Sequence, residues 1–319
     1  MKKAMSYAKE FFHRADIFLL VMGLICAIFG IVVISSATAS YHSAKYVIVQ
    51  SASLILGVFA FVVMTVLDVD VLADKWQILC AFNVVFLLLL IPFGVSDNTG
   101  NTGWLRFFGI GIQPTEVVKL TFIIILAKQT SYLKEYHDLN SVWSVAQLAG
   151  HFVLLFGLIL VVSSDLGSAL IFFFIFLVML FAAGFALHWF AIGFAAIAAM
   201  IPLLWKFVLH DYQKNRILAP YDSSIDPTNT GINWQPHQSK IALASGQWTG
   251  AGLGHGTQSQ SNALAGKHTD FIYAVIGEEL GMIACILVIV LLLIIIIRCV
   301  MVGIRSGSNM GSLVCFGVA

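Results

Sequence analysis

The chain has 319 residues, of which 60% are hydrophobic and 10% charged, whereas soluble globular chains are about one quarter charged. Seventeen Lys and Arg stand against sixteen Asp and Glu, a formal net charge of +1, and the mean hydropathy is +0.94. These figures exclude a water-soluble enzyme, a disordered chain and an electrostatic nucleic-acid binder, and predict an all-α, polytopic membrane helix bundle.

A membrane helix needs about 20 largely apolar residues. In chain order, spans are predicted at Ile17–Ile34, Tyr46–Leu67 and Trp76–Pro92. A fourth opens at Glu116 and reaches about Leu133, with its polar end near one interface. Between Asp138 and Lys206 the only charged residue is Asp165. That stretch holds three more spans, near Val142–Val162, Leu166–Ala183 and His188–Leu209. Phe271–Ile297 is an eighth, and a ninth apolar run starts at Asn309. The run from Asn309 to Ala319 is too short to cross a bilayer. The expectation is eight full transmembrane helices plus the start of a ninth, in a single integral membrane domain over 1–319, truncated at its C-terminus. Ala37-Thr38-Ala39 resembles a signal cleavage site, but the long basic flank and the spans that follow favour an uncleaved anchor. Cys26, Cys80, Cys285, Cys299 and Cys315 have no metal or redox spacing and read as small core residues.

Orientation follows from Lys and Arg in short loops. Lys2, Lys3, Lys9, Arg14, Lys75, Lys128, Lys134, Arg298 and Arg305 fall on one side, against Lys45 and Arg106 on the other. The N-terminus is therefore expected in the cytoplasm. The 94–115 loop, the 163–165 turn and a large loop over 210–270, between helices seven and eight, are expected outside.

Those outer segments gather the polar chemistry. The first runs Asn98-Thr99-Gly100-Asn101-Thr102-Gly103-Trp104-Leu105-Arg106 and on to Gln113-Pro114-Thr115-Glu116-Val117-Val118-Lys119. Pro114 and Thr115 fit a helix start. Glu116 and Lys119, three apart, share a helix face, either as a site or as a headgroup-level ion pair. Asp165, isolated by long uncharged runs, is either a helix cap or a site residue. The 210–270 loop carries Lys214, Arg216, Asp222, Asp226, Lys240, Lys267 and Asp270, with glycines at 246, 250, 252, 254 and 256 that permit sharp turns or close approach to a ligand. They form no P-loop. Gln235–Ala244 is helix-compatible, so Lys240 faces either a ligand or water. His237, His255 and His268 lack zinc spacing. Glu278 and Glu279 lie about two turns inside the eighth span; neighbours on a helix point apart, and at least one needs a polar or cationic partner, in a structural role.

Several of these motifs, in this order, resemble one family. Gln113-Pro114-Thr115-Glu116-Val117-Val118-Lys119 resembles its Gln-Pro-Ser/Thr-Glu-x-x-Lys signature, and Asp165-Leu166-Gly167-Ser168-Ala169 its Asp-Leu-Gly-Thr/Ser-Ala turn. Gln238-Ser239-Lys240-Ile241-Ala242, Ser245-Gly246, Gly250 and Gly252 resemble its long outer loop. His268-Thr269-Asp270-Phe271-Ile272 and Gly277-Glu278-Glu279-Leu280-Gly281 resemble the end of that loop. The chain is similar throughout to the SEDS family (shape, elongation, division and sporulation), and at Gln238-Ser239-Lys240 and Gly256-Thr257-Gln258-Ser259-Gln260 more to its RodA branch than to FtsW. It departs from the family at Ser163-Ser164, at Gly103 before Trp104, and at Leu264-Ala265-Gly266-Lys267, where a usual Leu-Pro-Glu is absent and a carboxylate with it.

The resemblance implies a ten-helix glycosyltransferase that polymerises lipid II into glycan strands at the outer face of the bacterial cytoplasmic membrane, for cell elongation and shape. It also implies membrane lipid and a class B penicillin-binding transpeptidase as partners. A lipid II flippase, or a scaffold for that transpeptidase, is the alternative. Glycosyl transfer needs a base and positive charge for the departing pyrophosphate. The family's loop aspartate corresponds to Asp270, the expected catalytic carboxylate. Lys119 and Arg216 are the expected pyrophosphate ligands. Glu116 and Asp165 orient Lys119 or hold a divalent cation, Mg or Mn. Trp104 packs the loop or holds sugar, and Gln238 and Lys240 complete the substrate-binding set.

Overall fold

A computed structural model describes residues 11, 15–41, 43–95, 102–107, 110–207, 211–261 and 263–319. Lys2, Lys3, Lys9, Arg14 and Asn98-Thr99-Gly100-Asn101, used above, lie outside the described residues. The long helices are α1 (Ile17–Ala37), α2 (Lys45–Val66), α3 (Trp76–Leu88), α4 (Pro114–Tyr136), α5 (Val142–Leu158), α6 (Leu166–Ala183), α7 (Leu187–Phe207), α8 (Ile272–Arg305) and α9 (Asn309–Val318). Among the described residues, seven are long and apolar enough to cross a membrane: α1, α2, α3 continued to Phe93, α5 continued to Ser163, α6, α7 and α8. The protein is a multi-pass helical membrane protein.

α4 has the length of a span, 23 residues, but not the apolar composition of the other seven. Its charges explain the difference: Glu116, Lys119, Lys128, Lys134 and Glu135 lie toward its two ends, while Val118, Phe122, Ile125, Leu126 and Ala127 are buried against protein neighbours. Pro114 stands at its first turn, where the missing N–H costs nothing.

The chain divides into two compact units, 1–66 with 191–295, and 67–190 with 296–319. The second unit is built around α4, with α3, α6 and α9 against it. Its core includes Leu87, Phe122, Leu148, Phe172, Met179 and Leu313. The 94–112 loop holds a feature absent from an all-helical expectation, a sheet of strands β1 (Gly94–Val95), β2 (Trp104–Phe107) and β3 (Ile110–Ile112). The strands are antiparallel in the order β1-β2-β3, with Leu105 opposite both Gly94 and Ile112. Strands this short leave no readable alternation in sequence. Thr102 ties the sheet to the end of α5: its amide and hydroxyl donate to the carbonyls of Ser163 and Val162 at 3.2 and 2.9 Å.

The first unit contains α1, α2, most of α7, the long loop and the first part of α8. Its core joins Val33 and Ala37 of α1 to Ala242, Leu264, Ala274 and Val275. The long loop is not structureless: Asp211–Leu218, Trp234–Ser245 and Thr257–Gln260 are helical. Buried Asp226 organises the turn between the first two, accepting the amides of Thr230, Gly231 and Asn233 at 3.2, 3.0 and 2.9 Å.

α8 is interrupted. Gly281 has φ 79° and ψ −179°, outside the helical region. The break frees backbone groups, and the long loop takes them up. The amides of Ala251 and Gly252 donate to the carbonyls of Glu278 and Glu279, each at 2.9 Å. Beyond the break, the amides of Met282 and Ile283 donate to Gln247 and Trp248 at 2.8 and 3.3 Å. Open backbone groups at membrane depth are tolerated only where protein satisfies them. The close approach that the loop glycines permit is therefore to the chain's own helix.

Candidate functional site

In the second unit the loop-side residues form two small groups. Asp165 is the N-cap of α6, its Oδ1 accepting the Ser168 amide at 3.0 Å. Its Oδ2 accepts the Ser168 hydroxyl at 2.7 Å and the Gln113 side-chain amide at 3.1 Å. The turn reaches α6 through Ser164, a non-glycine residue at φ 53°. Asp165 thus ties the Gln113-Pro114-Thr115-Glu116 segment to the head of α6. One turn along α4, both Glu116 carboxylate oxygens accept the Lys119 ammonium, at 2.8 and 2.9 Å. Glu116 is exposed and Lys119 largely covered. The indole of Trp104 lies over Gly111 on β3, where an added Cβ would meet its ring at 3.0 Å. That contact is packing within the sheet.

Among the described residues no group of three or more His, Cys, Asp or Glu could hold a metal. Glu116 pairs with Lys119, and Asp165 accepts from Ser168 and Gln113.

In the first unit, Arg216, Lys240 and Asp270 are exposed and Gln238 is buried. Among the described residues no hydrogen bond or ion pair joins these four. Gln238 faces the interior of the loop helix Trp234–Ser245, and Lys240 faces out. Asp270 stands at the end of the loop, just before α8.

What the sequence did not foretell is the anchorage beneath Asp270. The expectation for Glu278 and Glu279 is that they point apart and that at least one has a polar or cationic partner. Both are buried, 2% and 1% exposed, and both are taken up by the 254–260 segment, which wraps far enough around α8 to reach each. Glu278 accepts the amides of Gln258 and Ser259, each at 2.7 Å. Glu279 accepts the Ser259 hydroxyl at 2.7 Å, the Gln260 amide group at 2.8 Å, the Gly254 amide at 3.1 Å and the Ser36 hydroxyl of α1. Their donors are amides and hydroxyls. The signal available in sequence was the pairing of a charged dipeptide within a span with a Ser/Gln-rich loop.

Lys267 is 0% exposed. Its ammonium donates to the carbonyl of Ser259 at 2.6 Å, the hydroxyl of Ser40 at 2.7 Å and the carbonyl of Ser261 at 3.1 Å, and lies 4.8 Å from the centre of the Tyr41 ring. Burial pushes its pKa down, and the charge of Glu279 opposes that shift. His268 is wedged between the rings of Tyr46 and Tyr41, at 4.2 and 5.7 Å between centres. Burial, and then Lys267, hold the His268 pKa below 6.5, while Asp270 acts the other way. A cavity of about 420 Å³ is lined by Asp70, Lys128, Tyr132, Glu135 and Asn309 in the second unit. None of the expected site residues lines it.

Comparison with known proteins adds the following. A family model described as a cell cycle protein of the FtsW, RodA and SpoVE group matches residues 15–319. The chain is 33% identical over 320 residues to a probable peptidoglycan glycosyltransferase FtsW of Geobacter metallireducens, covering 96% of this chain and 82% of that protein. It is 32% identical over 267 residues to the peptidoglycan glycosyltransferase MrdB of Escherichia coli K12, covering 82% of this chain and 69% of that protein. Among solved structures, a chain of a peptidoglycan synthase complex superposes with TM-score 0.75 at 22% identity, over 95% of this chain and 82% of that one. The rod shape determining protein RodA of Thermus thermophilus superposes with TM-score 0.66 at 20% identity, over 95% and 80%. At such identities these structures speak for the fold alone.

Proposed function

The chain belongs to the FtsW, RodA and SpoVE family of cell cycle proteins, and on that premise we propose that it is a peptidoglycan glycosyltransferase that polymerises lipid II. The N-terminus lies in the cytoplasm, and the 94–115 loop, the 163–165 turn and the 210–270 loop face the outer leaflet. The RodA branch, and with it cell elongation, is our assignment. A class B penicillin-binding transpeptidase is the proposed partner, as the family resemblance implies.

The reaction joins two lipid-linked disaccharide-peptides. A sugar hydroxyl of the acceptor attacks the anomeric carbon of the donor. A glycosidic bond forms, the bond to the phosphate oxygen breaks, and undecaprenyl pyrophosphate leaves. In our assignment Asp270 takes the hydroxyl proton. Lys119, held by Glu116, and Arg216 offer cationic contacts to the pyrophosphate. Asp165 holds the Gln113–Lys119 segment in place, and Trp104, Gln238 and Lys240 bind or frame the glycan.

One observation carries the assignment of the base. On the long loop and the start of α8, Asp226, Glu278 and Glu279 are buried and saturated with donors, Asp222 accepts from the amide and hydroxyl of Ser224, and Asp211 lies 3.6 Å from the Lys214 ammonium. Asp270 is exposed and accepts no hydrogen bond from a described residue. A carboxylate with free lone pairs is open to a substrate hydroxyl; one already accepting two to four hydrogen bonds is occupied by the protein itself.

The test uses the purified protein with labelled lipid II, a divalent cation and the candidate transpeptidase, followed by gel analysis of polymer. Polymer from the parent and none from Asp270→Asn is expected. Normal polymerisation by Asp270→Asn removes Asp270 as the base. Absence of polymer from the parent, with lipid II crossing vesicle membranes, replaces the polymerase with a flippase.

A further inference from the structure

We infer that Lys267 is a positioning residue: its buried ammonium is the pin that sets the backbone carrying His268 and Asp270, and it acts on the reaction through Asp270 without touching substrate. The inference rests on the proposed role of Asp270.

Three features lead to it. Lys267 is fully buried, and full burial of lysine is rare unless the charge is satisfied. Its three hydrogen-bond acceptors are neutral oxygens from two separate parts of the chain, Ser40 just after α1 and the carbonyls of Ser259 and Ser261. Its cation–ring contact is with Tyr41, in the same Ala39–Tyr41 turn as Ser40. An ammonium has three protons, and all three are used. One side chain thereby closes a junction between segments 227 residues apart in sequence. The next residue, His268, is locked by the aromatic rings of Tyr41 and Tyr46, and Asp270 follows two residues later.

The same junction is anchored from the α8 side. Ser259, whose carbonyl receives Lys267, gives its amide to Glu278 and its hydroxyl to Glu279. The chain Glu278/Glu279–Ser259–Lys267–Ser40 therefore runs from α8 through the loop to the Ala39–Tyr41 turn. Lys267 is the member nearest Asp270. Its removal leaves two carbonyls and a hydroxyl without the ammonium they accept, and frees the segment that carries the base. A small displacement of a reacting group costs up to about 100-fold in rate.

The experiment compares Lys267→Met, Lys267→Arg and Ser40→Ala in the full chain. Steady-state polymerisation of labelled lipid II is measured together with hydrogen–deuterium exchange over 254–271. Lys267→Met is expected to lower kcat by about 10- to 100-fold with KM within about twofold, and to raise exchange at 266–271. Lys267→Arg, which keeps the charge and donors, recovers most of the kcat. Ser40→Ala, which removes one acceptor and leaves the pocket intact, gives a smaller fall in kcat. Unchanged exchange at 266–271 in Lys267→Met overturns the inference whatever the activity. So does an unchanged kcat, or a KM that rises while kcat stays constant, since Lys267 would then contact substrate or do nothing. Should Lys267→Met fail to fold, a Ser40→Ala protein with parental kcat and parental exchange overturns it. A parent that makes no polymer defeats the polymerase reading separately, and the exchange measurement still decides for or against the pin.

Discussion

The hydroxyl of Ser36, in the last turn of α1, donates to the carboxylate of Glu279, 243 residues later in α8. The carbonyl of Ser36 also receives the Gln260 side chain at 3.1 Å. This pair joins the first helix to the helix that follows the long loop. Glu279→Ala should leave Ser36, Gly254, Ser259 and Gln260 with unpaired donors and destabilise the protein by about 3 kcal/mol or more; Ser36→Ala should cost about 1.5–3 kcal/mol. Thermal melting in detergent measures both. Equal and negligible losses would show that the carboxylate is not buried in the folded protein.

Gly281 and Gly250 both have φ 79°. A Cβ on Gly281 would lie 2.4 Å from the Trp248 carbonyl oxygen, and one on Gly250 2.2 Å from that of Glu279. Either Gly→Ala change should cost more than about 3 kcal/mol, strain and overlap together. Gly150→Ala, inside α5 with nothing within 4 Å of the added carbon, should leave the melting temperature unchanged or raise it.

Asp165 separates two roles experimentally. Asp165→Asn preserves a side-chain acceptor for the Ser168 amide and should keep stability near that of the parent. Asp165→Ala loses the cap and should cost about 0.5–2 kcal/mol. Polymerisation should follow the same order, because Asp165 holds Gln113 and, through it, the start of α4. Loss of all activity in the well-folded Asn variant would instead assign its charge to substrate.

His268 makes the long loop pH-sensitive. Its folded pKa lies below 6.5 because burial and Lys267 disfavour the imidazolium. The unfolded chain therefore binds more protons than the folded one below 6.5. The stability from neutral His268 is complete above 6.5 and is lost as pH falls through the folded value. Melting followed from about pH 8 to about pH 5 should decline in the parent and flatten in His268→Gln. An identical slope in both would remove His268 as the source.

The membrane spans were readable because lipid imposes a length and a composition on each helix separately. Ile17, Trp76, Val142 and Leu166 mark observed helix starts, and Ala183 an observed end. The Asp165 cap was one of two readings open in sequence, since capping depends on residues three apart. The candidate residues at 113–119, 165 and 268–270 were legible as motifs. Other features were not. α4 looked marginal as a span because five charges fall along it, and only the fold shows its apolar middle buried against other helices. The Gly281 break and the loop that fills it depend on backbone pairing about thirty residues apart, as between Met282 and Gln247. The saturation of Glu278 and Glu279 and the burial of Lys267 beside Ser40 are likewise long-range, and no local period encodes them. Sequence determined which helices sit in the membrane, because transfer into lipid is nearly additive over neighbouring residues. Tertiary structure alone decided which charges are buried and satisfied and which remain open, because the donors that satisfy a carboxylate come from wherever the chain returns.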